Sequence, residues 1–174
     1  MNLDNLILRK AESNDVPEIW DIIFCAKEDM RMLGRTQWQD GYPAINDINT
    51  DISKGNGFIL CEKQNAKPIG YSAIILTGDD NYKTIDGEWI TSDTPYVVIH
   101  RLAVYPHLKG QGIATHFICL IEQYASSISF NSLRIDTNFD NDGMLRIMEK
   151  LNYVPCGIVT LPTGLRQAYE KILI

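Results

Sequence analysis

One stretch constrains this chain more than any other. A β-branched run, Tyr96-Val97-Val98-Ile99-His100-Arg101-Leu102-Ala103-Val104, stops at Pro106 and passes at once into His107-Leu108-Lys109-Gly110-Gln111-Gly112-Ile113-Ala114. Such a run favours a strand, and proline ends it. Beyond the glycines, Ile113, Phe117, Leu120, Ile121 and Tyr124 recur at helical spacing. The order is therefore strand, glycine loop, amphipathic helix. A helix start leaves up to four N–H groups without intrahelical partners and carries about half a positive charge, so it attracts anions. Gly110 and Gly112 remove side chains where a phosphate would approach the backbone, and Lys109 adds a cation. The expectation is a phosphate or pyrophosphate held by main-chain amides of residues 109–115. The same loop is also compatible with a tight turn that binds nothing. A dinucleotide fingerprint fails for want of its third glycine, and a Walker A loop for want of Gly-Lys-Ser/Thr.

The rest of the chain supplies a setting for this unit. Leu6–Lys10 reads as a first strand, and Ser13-Asn14-Asp15 offers capping oxygens to a helix reaching Met32, with Val16, Ile19, Trp20, Ile23 and Phe24 on one face. Residues 34–43 form a loop carrying Trp38 and Tyr42, and 44–53 a second helix. Strands follow at 58–62 and 69–76, suited to a hairpin. Residues 77–94 are a long loop or an irregular hairpin, with Asp79-Asp80 read as solvated. After the helix at 113 come a strand at 133–137, a helix capped by Asn141-Asp142 with Met144, Leu145, Met148 and Leu151 inward, and strands at 153–160 and 167–173. Asn152 suits a left-handed residue closing that last helix. Mixed order of this kind predicts an α/β (α+β) fold around a mixed sheet.

Composition narrows the partners. With 174 residues, 45% hydrophobic and 22% charged, the chain is sized for a single domain over 1–174. Sixteen basic against 22 acidic residues give a net charge of −6, and no cationic run suits a phosphate backbone, so nucleic acid is not an expected partner. Cys25, Cys61, Cys119 and Cys156 are widely spaced and set among apolar residues, which favours reduced thiols over a metal site. Met1–Asn5 lacks a basic leader region, and no apolar run nears the ~18 residues of a membrane span. A cytoplasmic protein without membrane partner is expected.

Taken together, Leu102-Ala103-Val104-Tyr105-Pro106 and Lys109-Gly110-Gln111-Gly112-Ile113-Ala114 resemble the acetyl-CoA motif of the GNAT acyltransferase superfamily, Gln/Arg-x-x-Gly-x-Gly/Ala. Gly112 and Ala114 match; Lys109 departs from Gln/Arg but keeps the charge. Downstream, Asn141, Met144 and Glu149-Lys150-Leu151-Asn152-Tyr153 are similar to a second family segment. The resemblance implies a mostly antiparallel central sheet, flanked by about four helices, whose two parallel strands splay apart. It implies acetyl-CoA as cosubstrate and no metal. Pantetheine would bond to the backbone of Leu102, Ala103 and Val104, and the pyrophosphate would lie on Lys109, Gly110, Gln111, Gly112, Ile113, Ala114 and Thr115. Asn138 and Asn141 would also contact the cofactor. The implied activity is direct acetyl transfer to an amine of a small molecule, amino acid or peptide in a ternary complex. A CoA-binding regulatory module without catalysis is the alternative, and a homodimer is compatible with either.

Attack by an amine on a thioester needs a base, because an ordinary amine is protonated at neutral pH. His100 is the candidate catalytic residue, two before Leu102 on the strand, and resembles a histidine of arylalkylamine N-acetyltransferases; a hydrogen-bonded core histidine is the other reading. Family acid and base positions fall on Met148 and Val98, which cannot do that work, and Tyr105, Tyr153 and Tyr169 stay open as donors. The resemblance places Trp38 and Tyr42 at the acceptor, as an aromatic wall for a cation or apolar amine, or else as anchors of their loop.

Overall fold

Among the described residues, apolar runs and turn residues resolve into eight strands and four α-helices. The computed structural model describes residues 2–92 and 94–173. In chain order the elements are β1 (Leu6–Lys10), α1 (Val16–Met32), α2 (Ile45–Ser53), β2 (Gly57–Glu62), β3 (Pro68–Ile75), β4 (Ile85–Gly87), β5 (Tyr96–Val104), α3 (Ile113–Ser127), β6 (Ser132–Thr137), α4 (Asp142–Lys150), β7 (Val154–Leu161) and β8 (Gly164–Ile172). Strands hydrogen-bond in the order β1-β2-β3-β5-β6-β8-β7-β4. Pairs β1–β2, β2–β3, β4–β7, β6–β8 and β7–β8 are antiparallel, and β5–β6 is parallel. The mixed, mostly antiparallel sheet with four helices read from the sequence is therefore present. Among the described residues, no helix is long and apolar enough to cross a membrane.

The chain divides into two compact units, residues 1–74 with 101–121 and residues 75–100 with 122–174. In the first, β2 and β3 are buried along almost their whole length, which is why Phe58–Cys61 and Ile69–Ile74 contain so few charged side chains. Helix α1 buries Ile19, Ile22, Ile23 and Ala26. Phe24, expected on that face, is instead 50% exposed, because the buried stripe centres on Ile22 and Ile23 and leaves the adjacent position outside. Gly70 permits close packing here: a Cβ on it would lie 3.1 Å from the Ala103 carbonyl, from Phe117 and from Val104.

The second unit is built on β6, β8, β7 and β4, with Tyr96–Ile99 of β5 in parallel register against Ser132–Ile135. Its core gathers Tyr82, Val98, Val159 and Ala168 with Ile75, Ile85, Trp89, Tyr96 and Leu161 packed around them. Of residues 77–94, undecided from sequence, 93 lies outside the described residues; the stretch before it holds a 3₁₀ turn at Asp80–Lys83 and the short edge strand β4. Gly87 and Gly157 let β4 and β7 meet, since a Cβ on either would fall 2.2 Å from a carbonyl oxygen of the other strand. The next stretch is pinned by charge. Glu170, fully buried, accepts from Ile90 N, Thr91 N and the hydroxyls of Thr91 and Ser132, and pairs with Arg134 at 3.2 Å. Arg134 lies between the rings of Trp89 and Tyr96, 4.2 and 3.8 Å from their centroids. Helix α4 buries Met148 fully, while Met144, Leu145 and Leu151 reach only intermediate burial. Asn152 closes it at φ 59°, with Asn152 N and Tyr153 N bonding to Glu149 O and Met148 O, a left-handed cap as expected.

Candidate functional site

Within the first unit the glycine loop keeps the character that its sequence predicts. Gly110 and Gly112 take φ 77° and 76°, a region costly for other residues, and no heavy atom lies within 4 Å of a Cβ built on either. His116 N makes its helical bond to Gly112 O, so the N–H groups of residues 112–115 stand ahead of the first turn, where no intrahelical acceptor exists. Ile113, 1% exposed, anchors that helix start. The loop thus presents donors over open space, which fits a phosphate-bearing ligand. Lys109 does not stand alone beside it, because its ammonium pairs with Asp29 of α1. Ala103 and Val104 are buried and Leu102 half-buried on the strand leading in.

Trp38 and Tyr42 lie in this unit too. Trp38 is 9% exposed and adopts φ 66°, an uncommon conformation for a bulky side chain. Tyr42 belongs to a cluster that the sequence did not reveal. Arg101 donates Nε and Nη2 to the two oxygens of Asp51 at 2.8 and 2.6 Å, and Nη1 to the Tyr42 hydroxyl at 2.5 Å. Tyr71 donates to Asp51 at 2.7 Å. Burial works against the Arg101 charge, yet attraction from Tyr42 and Asp51 outweighs it and leaves the guanidinium more basic than usual. Arg101 itself sits at φ 54° in mid-strand. Tyr105, an open candidate as donor, gives its hydroxyl to Glu18 and Asp21, and burial with those carboxylates raises it well above the usual phenol range.

His100 belongs to the second unit, where it is flanked by carboxylates. Its Nε2 lies 2.7 Å from Asp79 Oδ2, and its Nδ1 3.6 Å from Asp136 Oδ1. Tyr82 donates to that Asp136 oxygen at 2.6 Å, and Arg166 Nε approaches the other at 4.0 Å. The hydrogen bond from His100 pulls the Asp79 carboxyl down to about 2, so it is ionised at neutral pH. Burial instead raises Asp136, with His100 and Tyr82 opposing. The Asp79-Asp80 pair was expected in solvent. Asp80 is there, 91% exposed, but the Asp79 side chain is only 16% exposed because it caps the turn and faces His100. Neither Asp79 nor Asp136 carries a motif; the clue available was the polar position in the apolar strand Leu133–Thr137.

Asn138 and Asn141 follow β6 in the same unit. Asn141 caps α4, accepting Met144 N at 3.3 Å. Asn138 Oδ1 is buried without a hydrogen-bond partner, as is the hydroxyl of Thr137, itself 2% exposed. Tyr169 is raised by burial, and Val98 and Met148 are fully buried apolar residues.

Comparison with known proteins adds the rest. A family model for the acetyltransferase (GNAT) domain matches residues 5–154. A GNAT-family acetyltransferase from Streptococcus agalactiae is 32% identical, with a TM-score of 0.86, covering 96% of this chain and 95% of that one. A GNAT-family acetyltransferase from Listeria monocytogenes is 20% identical at TM-score 0.75, covering 97% and 95%. AAC(6')-Ib, in complex with ribostamycin and coenzyme A, is 18% identical at TM-score 0.70, covering 97% and 94%. These last two speak for the fold alone. No match is found among curated proteins.

Proposed function

The chain belongs to the GNAT acetyltransferase family, and from that premise we propose that it transfers the acetyl group of acetyl-CoA directly to a primary amine, with His100 as the base. The observation that carries the base is the placement of an imidazole, 16% exposed, with its Nε2 2.7 Å from the ionised Asp79. Residues 109–115 would hold the pyrophosphate through main-chain amides, supported by the open space over Gly110 and Gly112. Backbone groups of Leu102, Ala103 and Val104 would hold pantetheine, and Asn138 and Asn141 are assigned to the same ligand. Of these, Asn138 brings a buried oxygen with no hydrogen-bond partner among the described residues.

Acetyl-CoA supplies an activated acyl carbon whose C–S bond breaks, leaving the electron pair on sulfur, as the new C–N bond forms. His100 takes the amine proton. Trp38 and Tyr42 are assigned to the acceptor, an amine of a small molecule, an amino acid or a peptide; the Tyr42 hydroxyl is held by Arg101. A CoA-binding module without catalysis would leave the carboxylates around His100 without a purpose.

The test mixes the protein with acetyl-CoA and spermidine, tyramine, lysine, ribostamycin or a peptide with a free N-terminal alanine, and follows free CoA with a thiol reagent. Amine-dependent release is expected with at least one. A thermal shift with acetyl-CoA but no release with any amine would contradict the reading.

A further inference from the structure

Tyr42 and Tyr71 serve the same ion pair in opposite senses. Tyr71, fully buried, gives its hydroxyl hydrogen to Asp51 Oδ2 at 2.7 Å. Tyr42 cannot do the equivalent, because its partner is Arg101 Nη1 at 2.5 Å and a guanidinium has only hydrogens to give. The Tyr42 oxygen is therefore the acceptor in that bond, and its own hydrogen is left over. Among the described residues nothing receives it. Burial raises Tyr42 from the ordinary phenol value, with Arg101 opposing, so the hydroxyl keeps this hydrogen at neutral pH.

The same count applies to Arg101. Of its five N–H groups, Nε and one on Nη2 bond to Asp51 and one on Nη1 bonds to Tyr42, while the other two have no acceptor among the described residues. Asp51 is already engaged. At 5% exposure it takes Nε and the Tyr71 hydroxyl on Oδ2 and Nη2 on Oδ1. The cluster thus has hydrogens in surplus, and the group that complements it is an oxygen with lone pairs. An ammonium is unfavourable for a second reason. The Arg101 guanidinium carbon lies 5.7 Å from the centroid of the Tyr42 ring, so an ammonium on that ring would bring two like charges together. Tyr42 is also held from its other end, where Lys27 of α1 donates to the carbonyl of Pro43, the next residue, at 3.0 Å.

We propose that the Tyr42 hydroxyl, held by Arg101, is a specificity determinant that takes a carboxylate of the acceptor, so that the substrate is an amine bearing a carboxylate, such as an amino acid or a short peptide. The inference rests on the reading of Tyr42 as an acceptor contact in an acetyl-transfer enzyme. A hydroxyl bonds more strongly to an ionised oxygen than to a neutral one, and the Arg101 N–H donated into the phenol oxygen polarises the O–H further. Polyamines, aralkylamines and aminoglycosides offer no such oxygen and bring only further positive charge or an apolar ring.

The experiment follows CoA release from acetyl-CoA with matched acceptors in wild type, Tyr42→Phe and Tyr71→Phe. The pairs are tyrosine against tyramine, lysine against cadaverine, and alanylalanine against its C-terminal amide. The readout is the ratio of kcat/KM within a pair, compared between proteins, which cancels the different basicities of the two amines. Wild type should favour the carboxylate member of at least one pair by about 10–100-fold, chiefly through KM. Tyr42→Phe keeps the ring and loses only the hydroxyl, and should reduce that ratio by about tenfold or more. Tyr71→Phe touches the same Asp51 but removes a hydrogen already spent, and should keep the wild-type ratio. A merely structural Tyr42 would lower both members alike.

Wild-type turnover confined to acceptors without a carboxylate, a ratio that Tyr42→Phe leaves as it is, or an equal fall of the ratio in Tyr71→Phe overturns the proposal while leaving acetyl transfer in place. If no amine releases CoA, the acetyl-transfer reading fails by itself, and calorimetry of tyrosine and tyramine on the CoA-saturated protein decides this one. Tyrosine bound about tenfold or more tighter, with the difference lost in Tyr42→Phe, supports it, and equal binding or none overturns it.

Discussion

His100 and Arg101 are neighbours in the chain, and each meets an aspartate and a tyrosine, yet the two clusters are made for different work. Around Arg101 a permanent cation makes a two-pronged bond to Asp51, and both Tyr42 and Tyr71 are bound to that pair. With Arg101 12% and Asp51 6% exposed, the fork is shielded from solvent. Around His100 the partner is an imidazole instead of a guanidinium. One ring nitrogen lies 2.7 Å from Asp79 and the other 3.6 Å from Asp136. A guanidinium fork fixes structure, whereas imidazole is the side chain suited to acid–base work.

Breaking the guanidinium side should have the largest effect on stability. Arg101→Ala leaves Asp51 buried and unpaired and should cost about 3–5 kcal/mol in urea unfolding. Arg101→Lys, which cannot reproduce the fork, should cost less, and the midpoint of its pH–rate acid limb should stay where wild type has it. A loss below about 1 kcal/mol for Arg101→Ala would show the pair to be solvated in solution.

The titratable side should appear in acid. Asp79, held at about 2 in the folded protein against an ordinary 3.8, contributes stability that is complete above pH 4 and disappears as pH falls towards 2. The expected loss is about 2 kcal/mol, and Asp79→Asn should flatten that part of the curve. Asp136 acts in the opposite sense, since burial raises it and its protonation on acidification relieves a cost. An acid limb identical in wild type and Asp79→Asn would break this side of the comparison.

The smallest effects should be a matched pair. Tyr71→Phe and Tyr82→Phe each delete one hydroxyl that donates to an aspartate, and each should cost about 1–2 kcal/mol. Only Tyr82→Phe should also alter the pH dependence of turnover. The same change in both variants would mean that the two clusters do not differ in kind.

These clusters also show what could be read in the chain beforehand. Local signals were legible: the β-branched run ended by Pro106, the glycine loop at φ 77° and 76°, and the left-handed Asn152 all depend on residues within a few positions of one another. Neighbours distant in sequence were not. Asp51 and Arg101 are 50 residues apart and Tyr82 and Asp136 are 54, so no spacing rule joins them. Asp79 looked like a solvated loop residue because its turn is polar; its burial depends on a core to which Val159 and Ala168 contribute from far along the chain. The candidate base was visible as one residue, while the groups that would orient it became visible only in three dimensions.

The most direct measurement is the pH dependence of CoA release by wild type and His100→Gln at saturating acetyl-CoA. His100→Gln should be slower than wild type by about 10²–10⁴-fold, with the acid limb of the wild-type profile abolished. A His100→Gln profile that keeps the wild-type limb and a near wild-type rate would contradict the account and place the base elsewhere.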